Sequence, residues 1–119
     1  MPTQAFNETK SAIVASDVRV ASSIWSRFWG LMLRRTLPQG EGLLIKPCSS
    51  VHMLFMCFAI DVVFLDRDGF VTRTVASLKP WRVALGGRGA HAALELPSGA
   101  ATRAGVEPGD KLTFQTEGD

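Results

Sequence analysis

Ile60-Asp-Val-Val-Phe-Leu65, Asp66-Arg-Asp-Gly69 and Phe70-Val-Thr-Arg-Thr-Val-Ala76 together set the architecture of this chain. Apolar and β-branched runs on either side of an Asp/Gly turn read as a tight hairpin, because Asp and Gly tolerate the positive φ that such turns require. Asp66 and Asp68 resemble calcium ligands only superficially, since the further oxygen ligands and the late glutamate of an EF-hand loop are missing. On the N-terminal side, Ala12-Ile-Val-Ala15 and Val18-Arg-Val-Ala21 are β-type segments expected to pair as a hairpin around Ser16-Asp17. Gly42-Leu-Leu-Ile-Lys46 reads as a strand stopped by Pro47. On the C-terminal side, Lys79 to Gly89 reads as a glycine-rich loop without the flanking pattern of a phosphate-binding loop. Ala92 to Leu96 and Lys111 to Gln115 are further strands.

Two helices complete the pattern. Ser22 and Ser23 offer an N-cap, and Trp25, Phe28, Trp29 and Met32 follow at i, i+3, i+4 and i+7, which predicts a helix near 23–33 with a buried stripe. Ser98 as N-cap and Gly105 as a left-handed stop predict a short helix near 98–104. Strands outnumber helices and most connections are hairpin-like. The expected class is therefore α+β: a single compact β-rich domain with a mostly antiparallel sheet or half-open barrel.

Composition agrees with one globular unit. The chain has 119 residues, 46% hydrophobic and 20% charged, which suits one core over residues 11–116 preceded by a flexible, polar N-terminus at 1–10. A net charge of +2 spread along the chain excludes the counterion-release affinity on which nucleic-acid binding depends. Arg27, Arg34 and Arg35 belong to the solvated side and last turn of the first helix. No run approaches the ~20 apolar residues of a membrane span, and no basic segment precedes an apolar one at the N-terminus. A soluble cytoplasmic protein with reduced thiols is the expectation.

The chemistry-bearing groups crowd into Cys48-Ser-Ser-Val-His-Met-Leu-Phe-Met-Cys-Phe-Ala-Ile-Asp61. Cys48, His52, Met56 and Cys57 form a soft ligand set of the kind that suits Cu(I) or Zn(II), although their spacing matches no paired metal motif. His52 beside Cys48 or Cys57 would instead make an activated thiol, for which no orienting third group is evident. Asp61 and Glu95 could act as a carboxylate pair if they stood within ~10 Å of each other. The plainer alternatives are that Asp61 accepts backbone N–H bonds at a turn, and that Glu95, between Leu94 and Leu96, points to solvent. Trp81 and Arg82 sit in a loop bounded by Pro80 and glycines, where such side chains serve contact more often than packing.

Taken in order, Arg27 to Met32, Arg34 with Leu37, Glu41-Gly-Leu-Leu44, Val51 to Asp66, Gly69, Pro80-Trp-Arg82, Leu94-Glu-Leu-Pro97 with Gly99, and Gly105 with Gly109-Asp110 resemble domain-of-unknown-function family 192. The resemblance spans about residues 12–115 and implies a compact β-rich α+β domain of bacterial and archaeal type. It carries no activity, substrate or cofactor. The chain departs from the family pattern at Ala59, where proline is usual, and Met56, Asp61 and Glu95 fit the pattern better than Cys48, His52 and Cys57. The expected function is a small binding or accessory domain for a small polar ligand or peptide, with Met56, Asp61, Trp81, Arg82 and Glu95 as its face and no cofactor. A hydrolase using Asp61/Glu95 or a Cys-His pair, and a soft-metal protein, are the alternatives. The partner and oligomeric state stay open.

Overall fold

The computed structural model describes residues 3–21, 37–52 and 58–116. In chain order they form β1 (Thr3–Asn7), β2 (Ala12–Ala21), β3 (Glu41–Ile45), β4 (Ser50–His52), β5 (Ile60–Leu65), β6 (Val71–Leu78), β7 (Val83–Leu85), β8 (Ala92–Pro97), α1 (Ala100–Arg103) and β9 (Leu112–Thr116). The β5–β6 hairpin forms as its sequence demands. Asp66 Oδ1 accepts the N–H groups of Asp68 and Phe70, both at 2.9 Å, and Gly69 adopts φ +91°. That use of the carboxylate bears out the turn reading over a calcium loop.

Seven strands join in the order β6-β5-β8-β3-β2-β1-β9, and β4 and β7 pair in a separate two-stranded ribbon. Among these pairings only β2–β3 is parallel. The large sheet curls until its two edges touch at one end. Val71 N–H donates to the Asp110 carbonyl (2.8 Å), Gly109 N–H to that of Val71 (2.8 Å) and Leu112 N–H to that of Gly69 (2.9 Å). Among the described residues the result is a mostly antiparallel half-barrel with one short helix, in line with the expected class.

Curling divides the apolar residues into two sets. Inside lie Ala5, Val18, Leu44, Val63, Leu65, Leu94, Leu96 and Leu112. Outside, under the β4–β7 ribbon, lie Ile45, Val51, Ile60, Val62, Phe64, Ala84 and Ala93. The central strands β5 and β8 are buried along their whole length on both faces. Their near-continuous apolar runs follow from that, since alternation marks a strand with one wet face.

Several expectations give way. Ser16-Asp17 is not a turn: β2 runs unbroken through it, and the β1–β2 register jumps there, Thr3 pairing with Val18 but Ala5 with Ala15. The N–H groups of Ser16 and Asp17 both go to the Gly40 carbonyl, at 2.9 and 3.0 Å. The pair is thus a bulge that redirects β2 from β1 toward β3. Thr3–Asn7, read as part of a loose N-terminus, is instead a strand between β2 and β9, where sheet hydrogen bonds outweigh polar composition. The supposed loop 79–89 contains β7, and α1 is capped by Gly99 rather than Ser98. Gly105, with φ +70°, follows it as expected. The helix near 23–33 lies outside the described residues.

The N-terminal strand is fastened by a polar cluster. Asp110 is buried, and its Oδ2 accepts hydrogen bonds from Asn7 Nδ2 (2.8 Å), Lys10 Nζ (2.7 Å) and the Glu107 N–H (3.0 Å). Burial pushes the Asp110 carboxyl up, but the bonds from Lys10, Asn7 and Glu107 outweigh it and hold the carboxyl below its ordinary 3.8. The hydrogen bond to Asp110 raises the Lys10 ammonium above its ordinary 10.5, with desolvation opposing. A depressed carboxyl contributes stability above its unfolded value, near 3.9, which is lost as pH falls through the folded one. A raised ammonium contributes below its unfolded value and is lost as pH rises through the folded one. Urea midpoints of the wild type and Asp110→Asn should accordingly stay apart between about pH 4 and pH 10, with the gap narrowing as pH falls below that window or rises above it. A gap that persists unchanged at pH 3 would show that the charge plays no part.

Candidate functional site

Of the five residues expected to share one face, Met56 lies outside the described residues, and the two acids do not face the same side. Asp61 and Glu95 are both fully buried, at 0% exposure. In the β5–β8 register Asp61 stands opposite Leu96, while Glu95 stands opposite Val62. Leu96 belongs to the inner apolar set and Val62 to the outer one, so the two carboxylates project from opposite faces of the sheet. They share no cleft in which one could act as acid and the other as base. Burial also overturns the reading of Glu95 as a solvated side chain: the β4–β7 side of the sheet is roofed, so facing away from Leu94 and Leu96 does not mean facing water.

Asp61 follows its plainer reading. Its Oδ1 accepts the Ser77 N–H at 2.8 Å and its Oδ2 the Ala101 N–H at 3.0 Å. It thus joins the end of β6, where Ser77 has φ +48°, to the first turn of α1. Trp81 and Arg82 are exposed at the β6–β7 turn. Cys48 is partly buried against the outer apolar set, and its thiol donates to the Ser50 carbonyl at 3.0 Å. His52 ends β4, paired with Val83. Met56 and Cys57 lie outside the described residues. Among the described residues no three of His, Cys, Asp and Glu are grouped as metal ligands.

A cleft of about 530 Å³ opens instead at one end of the half-barrel. Its walls are the end of β3, the β5–β6 turn, and the starts of β8 and β9. Leu44, Leu65, Ala92, Leu112 and Phe114 supply an apolar floor, and Lys46, Asp66, Arg67, Asp68, His91 and Lys111 stand around it. The frame is fixed by backbone bonds: His91 N–H donates to the Leu65 carbonyl at 2.7 Å, and Cys48 N–H to that of His91 at 2.6 Å. Lys111 holds the turn by donating to the Asp68 carbonyl, and its Nζ lies 4.8 Å from the centre of the Phe70 ring. Asp66 is occupied by the turn N–H groups. Among the described residues, Lys46 and Arg67 have no hydrogen-bond or ion-pair partner.

The family model for DUF192, described as an uncharacterized ACR, matches residues 5–114. The chain belongs to the DUF192 family. Similar proteins include the UPF0127 protein of Pyrococcus furiosus, 38% identical over 91% of this chain and 95% of its own. The UPF0127 protein of Pyrococcus horikoshii is 35% identical, covering 92% of this chain and 97% of its own. These relatives are archaeal, so a bacterial assignment does not rest on them. The half-barrel also matches a crystal structure of a protein of unknown function from Novosphingobium aromaticivorans, with TM-score 0.78 at 24% identity over 95% of this chain and 84% of that one. A second match is a putative transcription regulator from Sinorhizobium meliloti, TM-score 0.76 at 22% identity, covering 94% and 91%. At such identities the likeness is one of fold.

In this DUF192 chain, sequence reasoning missed the four basic residues at the rim of the cleft as site candidates. Lys46, Arg67, His91 and Lys111 come from four separate connections, and no spacing links them. The only signal was indirect. All four sit within two residues of a strand end, which is where a closing barrel gathers residues at its mouth.

Proposed function

We propose that this DUF192 chain is a non-enzymatic binding domain that takes a small organic anion, its carboxylate or phosphate against Lys46 and Arg67 and its apolar body on Leu44, Leu65, Leu112 and Phe114. The observation that carries this reading is a pair of cations, without hydrogen-bond or ion-pair partners among the described residues, over an apolar floor in a cleft of about 530 Å³. Barrel mouths are a recurrent place for ligands, and sites of a few hundred Å³ with an apolar lining and a few polar groups are the usual form. Asp66 and Asp68 oppose an anion less than their number implies, because Asp66 is already engaged by the turn. The opposite facing of Asp61 and Glu95 speaks for binding over hydrolysis.

Calorimetric titration with a set of aliphatic and aromatic carboxylates and phosphate monoesters tests the proposal. One class should bind with saturable heat, and Lys46→Ala/Arg67→Ala should weaken it at least about tenfold, which corresponds to ~1.4 kcal/mol. Binding that is indifferent to both substitutions, or no binding by any probe, would overturn the reading.

A further inference from the structure

On the opposite side of the sheet from the cleft's apolar floor, the β4–β7 ribbon presents a second surface. Val51 and Ala84 point inward and are buried, whereas Val83 and Leu85 alternate outward and are 62% and 63% exposed. Trp81, at the turn before β7, is 60% exposed. At the residue spacing of a strand, Val83 and Leu85 lie in a row, about 7 Å apart, with Trp81 in the turn that leads into them. Trp81 has φ +68°, a left-handed backbone in which a bulky side chain is strained and glycine would be at ease.

The charge around this row is one-sided. The chain carries 13 Lys and Arg against 11 Asp and Glu, yet between Gly69 and Leu94 there are four cations, Arg73, Lys79, Arg82 and Arg88, and no acid. All four are exposed. Arg73 is held beside the row, its guanidinium donating to the Leu85 carbonyl at 2.7 Å.

From this combination we infer that the outward face of the β4–β7 ribbon docks on an anionic lipid surface, with Trp81, Val83 and Leu85 entering the headgroup boundary and Lys79, Arg82 and Arg88 pairing with lipid phosphates. An indole suits the interfacial layer, and each cation near a negatively charged leaflet adds to binding independently. A protein partner is the poorer fit. A stable protein interface needs about 800 Å² from each side, far more than three side chains supply. Single-stranded nucleic acid would call for several stacking rings, and among the described residues this face has one. This inference is independent of the anion cleft.

Co-sedimentation of the full chain with vesicles is the test, using phosphatidylcholine alone and phosphatidylcholine mixed with phosphatidylglycerol. The chain should sediment with the mixed vesicles only and be released by salt, because exposed charges are screened. Lys79→Glu/Arg88→Glu should lower partitioning at least about tenfold. Trp81→Gly, which relieves the left-handed strain, should also lower it, with circular dichroism unchanged. If Trp81→Gly fails to fold, the charge-reversed variant still decides the matter. Absence of sedimentation with mixed vesicles, or equal sedimentation of the charge-reversed variant, would overturn the inference. Capture by polyglutamate or a single-stranded oligonucleotide in place of vesicles would overturn it too.

Discussion

Asp61→Ala is expected to lower the unfolding free energy by about 3 kcal/mol, because it strands the Ala101 N–H in the interior and the Ser77 N–H at its edge. An unsatisfied buried donor costs roughly 1–3 kcal/mol, and the Ser77 donor, being only part-buried, stands at the low end of that range. For a domain of this size the loss corresponds to a fall in Tm of about 10 °C. Asp61→Asn should recover only part of it, since a carboxamide offers one acceptor oxygen while its NH₂ would confront the second N–H. Denaturant melts of the three proteins provide the measurement. A near-wild-type melt for Asp61→Ala, coupled with lost binding of an organic anion, would mean that Asp61 serves a ligand rather than the fold.

The same residue shows why the fold was more legible than the site. The strands at 60–65, 92–96 and 111–115, the Asp66–Gly69 turn and the Gly105 stop rest on local properties, fixed by residues within a few positions of one another, and they formed as read to within a residue or two. Whether a carboxylate on a strand is functional depends on what crosses over it, which is set by pairings distant in sequence. Asp61 and Glu95 were both conspicuous as charges in apolar runs, and the register puts them on opposite faces. Lys46, Arg67 and His91 were inconspicuous, and the closure of the half-barrel brings them to one mouth. The bulge at Ser16-Asp17 failed for a related reason. Its residue types favour a turn, but the Gly40 carbonyl, over twenty positions away, supplies the acceptor that keeps the strand continuous.

Gly69 is where that closure is most vulnerable. A Cβ at this position would lie 2.6 Å from the Leu112 carbonyl oxygen, a backbone atom that cannot rotate away, and the backbone there has φ +91°. Gly69→Ala would add left-handed strain, roughly 1–2 kcal/mol, and would also press apart the two sheet edges joined by the Leu112 N–H to Gly69 carbonyl bond. The expected total is about 3–4 kcal/mol, close to the lower range of stability of a whole domain. Gly87→Ala separates the two contributions. Gly87 has φ +84° and no atom within 4 Å of the position its Cβ would take, so only the strain remains and the loss should be about 1–2 kcal/mol. Because Gly69 also lines the cleft, Gly69→Ala should weaken anion binding under conditions where the domain is still folded, whereas Gly87→Ala should leave it unchanged. Equal destabilisation by the two substitutions in urea melts would mean that the meeting of the edges at Gly69 contributes nothing to the fold.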